Sequence, residues 1–282
     1  MGTQNRMKPG QKNIVSDHSD QTPLLPGLKP VLELLASEPG RIDHVFCKKS
    51  LRIHEAQKVQ TLCRRNGVRF TLVEQAALDN LCREAGGHDN VAHQGIVARL
   101  SFTNFHELEH VLTSVTDAPL PVILALDQVQ DPGNVGTLAR TLYTLGGAGI
   151  ILPRHNSAYL GSAARRASAG ALEHLPVAKV TNLGHALDTA EETGLTIYGA
   201  GSSVASNAPR LLDAFMSPLR LPAVLVLGNE DKGLRPGVAK RCAHMLRIPQ
   251  ARPFDSLNVA QAGAILLGLT AARLRASTSS VV

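Results

Sequence analysis

The chain has 282 residues, of which 44% are hydrophobic and 18% charged, and its formal net charge is +6. That balance is too apolar for a disordered chain and fits a globular protein of about two domains. No apolar run reaches the roughly 18–20 residues of a membrane helix, residues 1–21 hold no signal-peptide core, and the four cysteines form neither a C-x-x-C pair nor a zinc spacing. The expectation is a cytoplasmic protein with reduced, buried cysteines and no metal.

Residues 1–22 are polar and without periodicity, and read as a disordered tail. Residues 23–100 alternate between the two periods. Helical patterns cover Leu28–Ala36, Glu55–Arg65 and Gln75–Glu84, and strand patterns cover Ile42–Cys47, Val68–Val73 and Gly95–Leu100. This is a small α/β domain, and it is strongly basic. Between Arg41 and Arg69 lie eight basic residues (Arg41, Lys48, Lys49, Arg52, Lys58, Arg64, Arg65, Arg69) against Asp43 and Glu55, a local charge of +6. Such a field attracts a polyanion, nucleic acid being the commonest, although a solvated basic face reads equally well from charge alone. Three Tyr, six Phe and no Trp leave few stacking platforms, so phosphate and shape contacts would dominate any RNA recognition.

Residues 101–120 read as a proline-punctuated linker with one helical pattern over Phe105–Leu112. From 121 to 282 the strands become continuous apolar runs: Val122–Leu126, Ala148–Leu152, Leu195–Ala200 and Ala223–Leu227. Runs of this kind mark parallel strands covered on both faces. Helical patterns over Val135–Leu145, Ser162–Leu172, Leu183–Glu192 and Val259–Leu274 complete a doubly wound parallel α/β domain.

The ordinary nucleotide motifs are missing. No G-x-G-x-x-G follows a strand, and Gly228 and Gly233 are spaced as in a P-loop but followed by Leu234 and Arg235 where Lys and Ser/Thr are required. The informative segments are three strand-to-loop junctions. In Asp131-Pro-Gly-Asn-Val-Gly136, Asn134 reads locally as a helix cap, and Arg140 falls opposite the buried stripe of the helix. In Gly228-Asn-Glu-Asp-Lys-Gly-Leu234, two glycines bracket Asn229 and Glu230 and permit close backbone approach to a ligand at a strand's carboxyl end. In Ile248-Pro…Ser256-Leu-Asn-Val259, Ser256 or Asn258 caps the long terminal helix.

Taken together and in this order, D-P-G-N-V-G-x-x-x-R, G-N-E-x-x-G-L and I-P-x8-L-N-V resemble the SpoU (TrmH) family of RNA ribose 2′-O-methyltransferases, within the SPOUT superfamily. The likeness covers roughly Pro121 to Leu274. The segment Pro153–Leu183 looks most like the branch that methylates a guanosine of large-subunit rRNA. Gly27–Leu35 and His93–Ala98 are similar to that branch's ribosomal-protein-like RNA-binding domain. The resemblance implies a deep trefoil knot, a homodimer with its active site near the interface, and S-adenosylmethionine as cofactor. It implies that Ala200, Gly228, Ile248 and Leu257 hold the cofactor and that Asn134, Arg140, Glu230, Ser256 and Asn258 are catalytic, with no metal. Lys48, Lys49, Arg64 and Arg65 are the expected RNA path. The sequence departs from the family pattern at Gln250, Arg252 and Ala260, where methionine, glycine and serine are usual. A tRNA ribose, a non-catalytic RNA-binding or ribosome-assembly role, and a nucleotide hydrolase are the alternatives.

Overall fold

The computed structural model describes residues 23–84, 92–101, 103, 105–201, 210–252 and 256–279, so the tail read over residues 1–22 lies outside the described residues. The first unit is a four-stranded sheet in the order β1-β4-β2-β3, built from β1 (Leu24–Pro26), β2 (Ile42–Lys48), β3 (Arg69–Val73) and β4 (Ile96–Leu100). β2 runs parallel to β3 and antiparallel to β4. Side chains alternate along a strand. Val45, Cys47, Ile96 and Ala98 therefore meet α1 (Leu28–Ser37) and α2 (Ile53–Arg65) on one face, whereas Phe46 and Val97 meet α3 (Gln75–Glu84) on the other.

The connector differs from its sequence reading. Phe105–His106 is not the start of a helix but a short strand, β5, and the helix that follows, α4, spans Leu108–Thr113. β5 pairs in parallel with β8 (Val177–Val180), while the Phe105 side chain packs on the main core, so sheet pairing overrides the helical pattern here.

The second sheet has eight strands in the order β10-β12-β9-β11-β6-β7-β8-β5. Its other members are β6 (Leu120–Leu126), β7 (Gly147–Pro153), β9 (Thr196–Ala200), β10 (Arg210–Asp213), β11 (Ala223–Leu227) and β12 (His244–Arg247). Every pairing is parallel. All eight carboxyl ends therefore lie on one edge, where open α/β sheets bind ligands. The two faces divide the helices. Leu124, Leu126, Leu225 and Ile150 pack with α5 (Pro132–Thr144), α6 (Ser162–Ser168) and α9 (Val259–Ser279). Ile123, Ala125, Val224 and Val226 pack with α4, α7 (Leu183–Glu192) and α8 (Pro236–Ala239).

Two glycines of the recognised motifs serve the chain itself. A Cβ on Gly136 would lie 2.4 Å from the Ala164 carbonyl oxygen, so this glycine lets α5 touch α6. A Cβ on Gly228 would lie 2.4 Å from the Gly233 carbonyl carbon. The close approach at Gly228 is thus first of all to its own loop rather than to a ligand.

Candidate active site

Each of the three motif segments begins where a strand ends. β6 stops at Leu126, and Asp127, whose side chain is fully buried, accepts hydrogen bonds from the Arg235 backbone N–H (2.8 Å) and from its Nε (2.7 Å). This pair ties the loop after β11 to the loop after β6. Within the β11 loop, Asn229 and Gly233 exchange backbone hydrogen bonds. The Asn229 Oδ1 accepts from the N–H groups of Asp231 (3.1 Å) and Lys232 (3.2 Å), which closes a tight turn and presents Glu230 at its tip.

Asn134 is not the cap of α5. Asp131 is, accepting from the Gly133 N–H at 2.8 Å with Pro132 at the first helical position. An N-cap side chain turns back on the backbone, whereas a residue one turn inside projects outward, and this frees the Asn134 amide. Its Nδ2 donates to Glu230 Oε1 at 2.5 Å, and its Oδ1 accepts from Asn258 Nδ2 at 3.1 Å. Asn258 in turn caps α9, its Oδ1 accepting from the Ala260 N–H at 2.8 Å. One chain of hydrogen bonds, Glu230–Asn134–Asn258, therefore joins all three motifs. Ala260, where the resemblance leads to an expectation of serine, is buried in the first turn of α9, and Arg252 is exposed, so neither departure interrupts the chain.

A cleft of about 720 Å³ opens beside this network, at the carboxyl ends of β9, β11 and β12. Ala200, Gly228, Ile248 and Leu257 line it, as do Glu230 and Ser256. Leu227, Met245 and Leu246 add apolar floor, and Asn229 and Gln250 are polar lining. Arg140 stands apart. It is exposed on α5, outside the cleft lining, and its guanidinium makes no hydrogen bond or ion pair among the described residues.

The basic residues of the first unit separate in space. Lys48 and Lys49 lie at the carboxyl end of β2, where Lys49 pairs with Glu74 at 2.8 Å. Arg64 and Arg65 are in the last turn of α2, next to the start of β3, where Arg69 sits beside His44. A strand length of roughly 15 Å divides the two pairs. The arginine end faces the second unit across a groove of about 680 Å³.

The seam beside that groove carries a second buried charge. Asp43 on β2, fully buried, receives Lys179 Nζ of β8 on one oxygen (2.5 Å) and Arg99 Nη2 of β4 on the other (2.8 Å). Arg99 also lies 4.0 Å from the Tyr159 ring, and Lys179 4.3 Å from the Phe105 ring. Burial pushes the Asp43 carboxyl up, but the charges and hydrogen bonds of Lys179 and Arg99 outweigh it and hold it below the usual carboxylate range. Burial, reinforced by Arg69 and Arg99, draws His44 down to about 4. Charge counting treats Asp43 as a minor offset to a basic cluster and misses this role. The available signal is a carboxylate inside the apolar run Ile42–Cys47, which needs a buried partner.

Comparison with known proteins bears on both units. Residues 121–268 match the SpoU rRNA Methylase family, and residues 24–105 match the domain described as RNA 2′-O ribose methyltransferase substrate binding. The chain is 30% identical over 250 residues to YacO of Bacillus subtilis, named for the TrmH family of tRNA/rRNA methyltransferases. That alignment covers 88% of this chain and 95% of YacO. It is also 30% identical over 244 residues to the 23S rRNA (guanosine-2′-O-)-methyltransferase RlmB of Photobacterium profundum, covering 86% of this chain and 94% of that one. The crystal structure of an AdoMet-bound rRNA methyltransferase from Sinorhizobium meliloti shares the fold, with a TM-score of 0.53 and 23% identity, covering 92% of this chain and 89% of the other. With two family matches in tandem and relatives aligned along nearly their whole length, the chain belongs to the SpoU (TrmH) family of RNA 2′-O-methyltransferases.

Proposed function

We propose that the protein transfers a methyl group from S-adenosylmethionine to the 2′-hydroxyl of a guanosine in large-subunit rRNA, acting in the cytoplasm as a homodimer. The observation that carries this reading is the Glu230–Asn134–Asn258 chain at the mouth of the cleft, because it assembles residues 124 positions apart into one polar edge. The cleft suits the cofactor. Its volume falls within the usual range for small-molecule sites. Its apolar floor suits an adenine ring, and Glu230, Asn229 and Ser256 supply polar contacts for a ribose and an amino-acid tail. When bound, S-adenosylmethionine supplies an electrophilic methyl for in-line displacement by the ribose oxygen.

The chain's own residues orient and stabilise. Asn134 fixes the Glu230 carboxylate, and Asn258, held by the first turn of α9, fixes Asn134. A guanidinium presents a planar fork of N–H donors and no acceptor, so Arg140 serves as a clamp rather than a base. It would bind a phosphate beside the target ribose and stabilise charge growing on the 2′-oxygen, the proton leaving to a phosphate oxygen or water. Its exposed position on α5 leaves it open to RNA and to the second subunit of the dimer. The trefoil knot belongs to the same reading. Supporting it, β11 enters the sheet between β9 and β6, and β12 enters between β10 and β9.

The test is transfer of tritium from labelled S-adenosylmethionine to total RNA of a strain lacking the protein, followed by nucleoside analysis. The reading expects label in 2′-O-methylguanosine of large-subunit rRNA, and a loss on the order of 10²–10³ in rate for Arg140→Ala. Label in tRNA would move the target, and cofactor binding without any transfer would favour a non-catalytic RNA-binding role.

A further inference from the structure

The edge of the large sheet that holds the donor cleft also holds the interdomain groove. The cleft is centred on the ends of β12, β9 and β11, and the groove on the ends of β7, β8 and β5. Four strand spacings separate the centres, roughly 20 Å, a distance spanned by a few nucleotides. We infer that the groove is a phosphate track in which Arg64, Arg65, Arg69 and Arg154 hold the RNA backbone while a ribose a few nucleotides away enters the donor cleft. The inference rests on the RNA-methyltransferase reading and assigns the RNA path to one end of the first unit.

Four observations carry it. The groove brings together arginines from both units: Arg64, Arg65 and Arg69 on one wall, and Arg154, just past β7, on the other. Second, Arg64, Arg65 and Arg69 make no ion pair or side-chain hydrogen bond among the described residues. Arg154 donates through Nη1 to the Gly67 carbonyl, but its Nε is buried without a partner. Third, Arg64, Arg65 and Arg69 make no ion pair or hydrogen bond between the units. Asp43, with both oxygens occupied by Lys179 and Arg99, docks the units, together with Arg154 on the Gly67 carbonyl, and among the described residues lining the groove only the exposed Glu107 and Glu109 remain as acids to face the arginines. Fourth, at the opposite end of β2, Lys49 is committed to Glu74 and Lys48 is half-buried. A groove rich in unpaired guanidinium groups is suited to phosphate oxygens, which they bind in bidentate fashion.

The experiment measures the salt dependence of affinity for a fluorescein-labelled RNA hairpin of about 20 nucleotides, using the full-length protein. Arg64→Ala/Arg65→Ala is compared with Lys48→Ala/Lys49→Ala, and S-adenosylmethionine binding is measured on both as a check of the fold. Loss of two phosphate contacts should flatten the slope of log K against log salt by about 1.4–1.8 and weaken binding about tenfold or more at low salt. The lysine pair should change the slope by less than about half a unit. Normal RNA binding with an unchanged slope in the arginine variant, or a larger loss in the lysine variant, overturns the groove and leaves the methyltransferase reading standing. If the wild type binds no RNA, both fail. Arg154→Gln, which keeps a donor and loses the charge, should flatten the slope by a further unit or less.

Discussion

The cleft and the interdomain seam share one sheet edge but are built differently. The cleft combines strand-end backbone and an apolar floor with amides and charges of both signs (Glu230, Asp231, Lys232, Arg247), and of these Glu230 is tied into the Asn134–Asn258 chain. The seam relies on charge: a fully buried carboxylate between two cations, beside Arg64, Arg65 and Arg69, which have no ion-pair partner among the described residues. The difference follows from what each must hold. A small ligand is placed by a few directional polar contacts on a largely preformed apolar wall. A polyanion is held by cations whose effect falls with salt, and two folding units can be locked by an ion pair only where water is kept out.

The largest effect should come from breaking the seam. Asp43→Ala leaves Lys179 buried without its counter-charge, at a cost of about 3–5 kcal/mol. Thermal unfolding should show a clear drop in midpoint, and Asp43→Leu combined with Lys179→Met should recover most of it. A wild-type midpoint for Asp43→Ala would mean the seam does not hold the units. Acid should act next. His44, whose pKa is lowered from 6.5 to about 4 by burial and the nearby arginines, stays neutral in the fold. The unfolded chain binds its proton first, so stability falls as pH drops from 6.5 towards 4, by on the order of 3 kcal/mol. Asp43, held below 3.8, loses its contribution only at lower pH. His44→Gln should flatten the upper part of that decline; an unaltered pH profile would place the acid sensitivity elsewhere. On the cleft side, Asn134→Ala should lower kcat by about 10²-fold through misplacement of Glu230, with RNA affinity unchanged. A matching loss of RNA affinity would blur the division between the two regions.

Much of this is legible in the sequence. Strands β6, β7, β9 and β11 are continuous apolar runs because both their faces are covered, and each follows its run to within about two residues. Strands β8, β10 and β12 are not legible in this way, because Lys179, Arg210, Asp213, His244 and Arg247 interrupt the pattern. In β8 the interruption is itself the signal, since Lys179 is the buried partner of Asp43. Asn134 stands out in the sequence, but as a cap; Asp131, three residues earlier, competes for that role and wins by preceding Pro132. The basic cluster misleads in another way. Residues 48–49 and 64–65 are neighbours in a charge count, yet a strand followed by the helix that returns along it places them at opposite ends of the unit. Periodicity carries no information about strand order, so nothing local could place the arginine end against β8.

The most direct test of the account is the calorimetric titration of S-adenosylmethionine into the wild type and into Ala200→Phe, which places a phenyl ring in the cleft at the end of β9. The account predicts one cofactor bound per wild-type chain, and binding lost in Ala200→Phe while RNA affinity is kept. Undiminished cofactor binding by Ala200→Phe would contradict the placement of the methyl donor in this cleft.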